Sequence, residues 1–361
     1  MWINVVITIL IAVLLAKFGY IDFILDAISS PKAAEEIITI NTNLGKVQGK
    51  ISNVKTDDGQ VETMYTYRNI PYAEPPVGDL RWRPPVPVKP WDDVFKYSNH
   101  AVMCKQFQLV PEIKEIGQED CLILTVRQPA RATPSTPMPV LFWIHGGGLF
   151  LGSSDWFYPD EQTTASLEMV TVSINYRLNI FGFLSMEEIW SVEKDKKNYH
   201  GNFGVLDVIQ ALKWVKENIH SFGGNPDRVT IIGESAGGAI VYSLVSSPLA
   251  AGLFTKAIPA SGFKIPGGIT YEKADLLHSR IFKENTNCQK ALESEVVACL
   301  RNLSASTVLQ NQPSIRQPLD VIWKRFQFPF DEEYKATRCL PTMTTLCQSL
   351  WEGCQNQPLL D

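Results

Sequence analysis

The chain has 361 residues, of which 45% are hydrophobic and 20% are charged, so it can bury one large core or two smaller ones. This composition excludes a largely disordered chain. The net charge of −5 at pH 7 and the lack of a long basic run exclude nucleic-acid binding through a basic surface.

The N-terminal segment is strongly apolar. Residues 2–16 are almost wholly apolar and precede Lys17. This pattern is typical of the core of a signal peptide and is short for a membrane span, which needs about 20 residues. A second apolar stretch at residues 18–25 leaves an alternative, in which residues 2–25 remain as an uncleaved membrane anchor. We therefore predict a signal peptide or N-terminal anchor at residues 1–29, and a protein that is secreted or membrane-anchored.

Three short strands are predicted next, at residues 37–41, 46–51 and 64–68, because the turn sequences N-L-G and D-D-G separate them. The Pro-rich segment at residues 71–90 cannot form a helix or a central strand. It is expected to wrap over a surface.

Apolar runs then alternate with helical patterns. Runs that resemble strands buried on both faces occur at residues 122–126, 140–144, 169–174 and 229–232. Residues 205–219 carry apolar residues at helical spacing, and residues 236–245 predict a further helix. A strand is predicted at 256–261, where Pro259 would cost a hydrogen bond unless the strand ends or bulges there. The alternation predicts an α/β fold with a largely parallel central sheet covered by helices on both faces.

The most informative segment follows the strand at 229–232. Residues 233–237 have the pattern G-x-S-x-G between a β-branched strand and a run of small residues. This context predicts a nucleophile elbow, a sharp turn that exposes a serine hydroxyl at the top of an α/β-hydrolase sheet. Gly233 and Gly237 fit because the turn brings their Cα atoms against neighbouring backbone. Ser235 is the candidate nucleophile, and the alternative of a chance match is disfavoured by the flanking strand and helix.

A second motif, H-G-G-G at residues 145–148, follows the strand at 140–144. Consecutive glycines let backbone N–H groups turn towards an oxygen, as in the oxyanion loop of esterases and lipases. The predicted donors are the N–H groups of Gly147 and Gly148 together with that of Ala236, the alternative being a plain tight turn. His145 is expected to brace the loop rather than act as a general base.

The other histidines lack metal-ligand spacing, so no metal or cofactor is predicted; they are His100, His200, His220 and His278. Seven cysteines fit a protein of the secretory route. Pairing is favoured within two sets, Cys104 with Cys121 and Cys288 with Cys299, the alternative being free buried thiols. No pairing is predicted for Cys339, Cys347 and Cys354. A sequon at Asn302 predicts an N-glycosylation site.

With these motifs in place, the chain resembles the type-B carboxylesterase/lipase family, which includes the cholinesterases. Besides the elbow and the glycine loop, the resemblance rests on the Pro-rich segment at residues 70–78, on E-D-C-L-I-L at 119–124 and on N-Y-R at 175–177. It implies an α/β-hydrolase fold and a serine carboxylic ester hydrolase that forms an acyl-enzyme on Ser235. The implied partner is a small-molecule ester, with no cofactor. The resemblance also implies the disulfides Cys104–Cys121 and Cys288–Cys299, and the buried ion pairs Arg81–Glu119 and Arg177–Asp207.

Two departures from the family pattern matter. Residues 105–120 contain one aromatic side chain, Phe107, and no tryptophan, whereas a tryptophan in this loop of cholinesterases binds the choline cation. Acetylcholine is therefore disfavoured as a substrate. Residues 358–360 resemble the strand that precedes the catalytic acid of the family, and the chain stops at Asp361.

The resemblance therefore implies that residues 30–361 are a partial domain that lacks its C-terminal third, with the acid and the histidine of the triad. We expect the isolated chain to be inactive and prone to aggregation. His278 is not expected to substitute as the base. The alternative function is a non-catalytic cholinesterase-like adhesion or binding module. The intact Ser235 and glycine loop favour the hydrolase.

Overall fold

A computed structural model describes residues 36–108, 113–156, 159–192, 201–262, 282–283, 285–291 and 295–312 of the chain. The predicted signal peptide or anchor at residues 1–29 lies outside these ranges. So do the three C-terminal cysteines and the segment at 358–360.

The main element is an eight-stranded sheet. Its strands are β1 (Ile37–Thr42), β2 (Gly45–Lys55), β3 (Val61–Pro71), β6 (Ile123–Pro129), β7 (Met138–Ile144), β8 (Val170–Ile174), β9 (Gly224–Glu234) and β10 (Lys256–Ala260). They lie in the order β1-β2-β3-β6-β8-β7-β9-β10. A separate two-stranded sheet pairs β4 (Gln106–Gln108) with β5 (Lys114–Ile116).

The parallel pairing predicted from the sequence is confined to one half of the sheet. β7 pairs in parallel with β8 and β9, and β9 with β10. In the other half, the pairs β1–β2, β2–β3, β3–β6 and β6–β8 are all antiparallel. The short turns between β1, β2 and β3 permit only antiparallel pairing, whereas the helices between β7, β8, β9 and β10 provide the crossovers that parallel strands need.

The described α-helices are α1 (Glu161–Leu167), α2 (Asn179–Phe183), α3 (Glu187–Val192), α4 (Phe203–Asn218), α5 (Ala236–Val245), α6 (Val296–Arg301) and α7 (Ala305–Gln310). α4 is the amphipathic helix predicted at 205–219, and its residues Val208, Leu212 and Val215 are buried. They pack in one core cluster with sheet residues such as Phe142 and Ile231. None of the helices within the described ranges combines the length and the apolar character that crossing a membrane requires.

Pro259 lies within β10 without ending it or causing a bulge. The N–H of Ser235 donates to the carbonyl oxygen of Ala260 (2.9 Å), so the main-chain groups of Ala260 face β9. Because alternate residues of a strand point these groups to opposite sides, the missing N–H of Pro259 lies on the side away from β9. β10 is the edge of the described sheet. The proline therefore costs no hydrogen bond to β9.

A second cluster of buried side chains comprises Trp82, Ile180, Phe181, Leu184, Met186, Ile189, Phe203, Phe282, Cys288, Val296, Val297, Leu300, Val308 and Leu309. The Cys288–Cys299 disulfide is present at its edge, as is the Cys104–Cys121 disulfide elsewhere in the chain. We call residues 104–121 the first disulfide segment.

Both ion pairs implied by the family resemblance are present. The guanidinium of Arg81 makes two 2.6 Å hydrogen bonds to Glu119 and also donates to three main-chain oxygens at Leu300, Arg301 and Leu303. The Arg177 guanidinium lies 2.7 and 2.8 Å from the carboxylate oxygens of Asp207, and both side chains are buried. Removing one partner of such a pair leaves a buried charge uncompensated, at a cost of about 3–5 kcal/mol.

Candidate active site

Ser235 occupies the junction between β9 and α5, with φ 54° and ψ −117°. A residue with a side chain rarely adopts this conformation, and its strain is of the order of 1–3 kcal/mol. Two main-chain hydrogen bonds hold the residue there. Its N–H donates to Ala260 (2.9 Å), and its carbonyl oxygen accepts from Ala239 in the first turn of α5 (3.0 Å). The serine is therefore fixed by the neighbouring strand and by its own helix.

The elbow is packed backbone against backbone. A Cβ added to Gly237 would lie 2.1 Å from the carbonyl oxygen of Ile144, the last residue of β7. A Cβ added to Gly233 would lie 2.4 Å from the carbonyl carbon of Gly237. Neither position can hold a side chain unless the backbone moves, as the G-x-S-x-G pattern predicts.

The glycine loop at residues 145–152 lies directly beside the serine. A Cβ added to Gly146 would be 3.2 Å from the Cβ of Ser235. Gly147 and Gly148 have φ values of +104° and +64°. The carbonyl oxygen of Gly147 accepts from the N–H groups of Phe150 (3.0 Å) and Leu151 (3.1 Å), which closes the loop into a turn.

Three N–H groups of the elbow and the glycine loop have no acceptor among the described residues. Those of Gly147, Gly148 and Ala236 make no hydrogen bond to another residue in the described ranges. The N–H of Ala236 is free because it belongs to the first turn of α5, where no helical acceptor exists. The same helix end carries a partial positive charge, so the junction is suited to an anion.

His145 is the first residue of the loop and is buried. Its ring stacks on Tyr176 at 4.4 Å, and the Tyr176 hydroxyl donates to the carbonyl oxygen of His145 (2.8 Å). Nδ1 lies 2.8 Å from the carbonyl oxygen of Gly146, so Nδ1 carries the hydrogen. Burial lowers the pKa of His145 to about 4. The imidazole is therefore neutral at pH 7 and supports the loop.

The sequence analysis missed Gln106, which joins the loop to the first disulfide segment. Its Nε2 donates to the carbonyl oxygens of Cys104 (2.9 Å) and Gly152 (2.8 Å), and its Oε1 accepts from the N–H of Gly152 (2.8 Å). Nothing in the local sequence marks this residue, because its partner at Gly152 lies 46 positions away.

The described ranges contain three of the five histidines. His100 and His220 are exposed, and His145 is engaged with Gly146. His200 and His278 lie outside the described residues. No cluster of three or more His, Cys, Asp or Glu side chains in the described part of the chain could hold a metal ion.

Known proteins match most of the chain. A model of the carboxylesterase family matches residues 36–335. Cocaine esterase from Homo sapiens is 38% identical over 293 residues, which are 78% of this chain and 49% of that protein. Acylcarnitine hydrolase from Mus musculus is 37% identical over 282 residues, which are 74% of this chain and 48% of that protein. The chain thus spans about half the length of the curated relatives it matches.

Two solved structures share the fold. Juvenile hormone esterase from Manduca sexta, with OTFP covalently attached, has a TM-score of 0.65 and 30% identity, and the match covers 76% of this chain and 51% of that one. PNB esterase has a TM-score of 0.64 and 35% identity, and the match covers 79% of this chain and 55% of that one. These matches confirm the α/β-hydrolase fold and the type-B resemblance. The chain belongs to the carboxylesterase family.

Proposed function

We propose that the protein is a serine carboxylic ester hydrolase that acts through an acyl-enzyme on Ser235. The observation that carries the proposal is the strained backbone of Ser235 at a strand–helix junction beside a glycine loop. Such a junction presents the hydroxyl away from its own backbone, where a substrate can reach it. Membership of the carboxylesterase family supports the reaction class.

In the first half of the reaction, Oγ of Ser235 attacks the ester carbonyl carbon as a base removes its proton. The carbonyl oxygen becomes an oxyanion, which accepts hydrogen bonds from the N–H groups of Gly147, Gly148 and Ala236. Each such donor lowers the barrier by roughly 3 kcal/mol. The tetrahedral intermediate then expels the alcohol, which receives the proton from the base and leaves an acyl group on Ser235.

In the second half, water attacks the acyl carbonyl carbon and gives a proton to the same base. The new intermediate breaks the bond to Oγ, releases the acid and returns the proton to Ser235. No metal or cofactor is needed for either half.

We propose that the base is an imidazole outside the described residues, oriented by an acidic side chain that also lies outside them. His145 is unsuited to the task because it is buried, its pKa is about 4 and its Nδ1 is engaged by Gly146. The family resemblance implies that this imidazole and acid belong to a C-terminal third that residues 1–361 do not include, and His278 is not expected to substitute. A polypeptide limited to residues 1–361 should therefore hydrolyse esters orders of magnitude more slowly than a protein with a complete triad. β10 forms an edge of the sheet within the described residues, and Val245, Leu249 and Ile258 are exposed. Both features support the proposal that such a polypeptide tends to aggregate.

The substrate is proposed to be a small-molecule ester. The names of the relatives point to esters of different shape, cocaine and acylcarnitine among them, so they support the class and no single member. Phe107 packs against the second cluster. Residues 105–120 contain no tryptophan that could bind a quaternary ammonium group, which argues against choline esters.

We also propose that the protein enters the secretory route through residues 1–29, as a signal peptide or as a membrane anchor, and carries an N-glycan on Asn302. Asn302 is exposed, and two disulfides are compatible with an oxidising compartment. Treatment of the secreted protein with peptide-N-glycosidase should reduce its mass, and Ser304→Ala should abolish that change. An unchanged mass in the wild type would contradict the glycan.

The test of the proposed hydrolase is capture of the native protein from its source by a fluorophosphonate probe, followed by intact mass and peptide mapping. The expected result is a single label, carried by Ser235. Ser235→Ala in the recombinant full-length protein should abolish labelling. The matched variant Ser243→Ala, in the same helix region, should label normally. A folded protein that fails to label would instead favour the binding module.

A further inference from the structure

Gln106 makes a paired contact with a single residue of the glycine loop. Its side-chain amide both accepts from and donates to the main chain of Gly152, with both distances at 2.8 Å. Gln106 is fully buried, and Gly152 is buried as well. Two hydrogen bonds to one residue fix its orientation as well as its position, and the burial excludes water as a substitute partner.

Gly152 in turn lies against the histidine that supports the loop. It has φ +134°, and an added Cβ would be 2.1 Å from Nδ1 of His145 and 2.7 Å from the carbonyl oxygen of Gly146. These two atoms form the hydrogen bond that holds the ring to the loop. A displacement of the Gly152 main chain would therefore disturb both ends of that bond.

The first disulfide segment has a second link to the loop through Asn179. The side-chain amide of Asn179 donates to the carbonyl oxygen of Lys105 (2.8 Å). The main-chain N–H of Asn179 donates to the carbonyl oxygen of Leu149 (2.7 Å). Cys104 is bonded to Cys121, and its carbonyl oxygen accepts a hydrogen bond from Nε2 of Gln106 (2.9 Å). The loop is thus joined to one covalently closed segment at two separate points.

We propose that Gln106 is a positioning residue of the active site, which sets the alignment of the Gly147 and Gly148 N–H groups through Gly152 and His145. The proposal rests on the proposed esterase function only for its kinetic consequence. Without the amide, the buried N–H and C=O of Gly152 lose their partners, and the loop relaxes to satisfy them. Because the donors act on the oxyanion of the transition state, the maximal rate should fall while substrate binding is kept.

The test uses Gln106→Leu in the recombinant full-length protein, with Gln118→Leu as the matched control. Gln118 is an exposed glutamine of the same disulfide segment, and its side chain bonds to Asp120. Two readouts are compared, hydrogen–deuterium exchange of peptides that cover residues 145–152 and the kinetics of phosphonylation at Ser235. Gln106→Leu should exchange faster in that stretch and lose about 100-fold in maximal phosphonylation rate, with an unchanged half-saturating concentration. The control should match the wild type in both.

A folded Gln106→Leu variant with wild-type exchange and wild-type phosphonylation would overturn the inference. If this variant fails to fold, Gln106→Glu replaces it, since a carboxylate keeps the acceptor for the Gly152 N–H. It should show a smaller change in the same direction, and no change would also overturn the inference. A wild-type protein that never labels would contradict the esterase proposal alone, because the exchange comparison still decides the role of Gln106.

Discussion

The site has two parts, the elbow that carries Ser235 and the glycine loop beside it, and they reach their geometry by different means. On the elbow side, Gly233 and Gly237 pack directly against neighbouring backbone, with no room for a Cβ. On the loop side, geometry depends on side chains from distant parts of the chain, above all Gln106 and Tyr176. The elbow should therefore be sensitive to substitution within its own five residues, and the loop to substitution far from it in sequence.

The largest effect is expected at Gly237. In Gly237→Ala the new Cβ would overlap the carbonyl oxygen of Ile144, so β7 or α5 must move, at a cost of about 3 kcal/mol or more. Thermal unfolding should show a clear fall in Tm, with loss of labelling at Ser235. The control is Gly252→Ala, where φ is also positive (+77°) but the space is open. It should cost only about 1 kcal/mol, and equal losses in the two variants would contradict the packing account.

On the loop side, the buried His145 predicts a dependence of stability on pH. Its pKa is about 4 in the folded protein and near 6.5 in the unfolded chain. Between these values the unfolded chain binds the extra proton, so the free energy of unfolding falls by about 3 kcal/mol as pH drops from 6.5 to 4. Chemical denaturation across this range measures the slope. His145→Gln should flatten it, whereas His220→Gln, which removes an exposed histidine, should leave it unchanged.

A smaller effect tests the strain at the elbow. Ser235→Gly should be more stable than Ser235→Ala by about 1 kcal/mol, because glycine adopts φ 54° and ψ −117° freely and alanine does not. Both variants should fail to label. Urea denaturation of the two proteins gives the comparison directly, and an alanine variant as stable as the glycine variant would show that the conformation is not strained.

An effect of similar size concerns Tyr176. Tyr176→Phe keeps the ring that stacks on His145 and removes the hydroxyl that donates to its carbonyl oxygen. One buried acceptor is left unpaired, at a cost of about 1–2 kcal/mol. Tyr97→Phe removes a hydrogen bond to Asn99 that is exposed, and it should shift the unfolding midpoint much less. A Tyr176→Phe protein with wild-type stability would show that the loop does not depend on this contact.

The same division explains what could be predicted from the sequence. The elbow was predicted because its strand, turn and helix are contiguous in sequence and carry the G-x-S-x-G pattern. The position of β10 was predicted too, but not how it tolerates Pro259, since that depends on the proline lying at a sheet edge.

The supports of the loop could not be predicted in this way. Tyr176 belongs to a recognised motif, N-Y-R, but the target of its hydroxyl lies 31 positions away at His145. Gln106 carries no local signal, because its hydrogen bonds with Gly152 form only after the sheet has brought the two segments together. Long-range polar contacts of this kind depend on tertiary structure and not on local pattern.

The most direct test of the account is a crystal structure of the full-length protein after reaction with a fluorophosphonate. The account predicts a phosphonyl group bonded to Oγ of Ser235. Its oxygen should lie about 3 Å from the main-chain nitrogens of Gly147, Gly148 and Ala236, so that elbow and loop meet at one atom. An adduct on another residue, or a phosphonyl oxygen that points away from these three N–H groups, would contradict it.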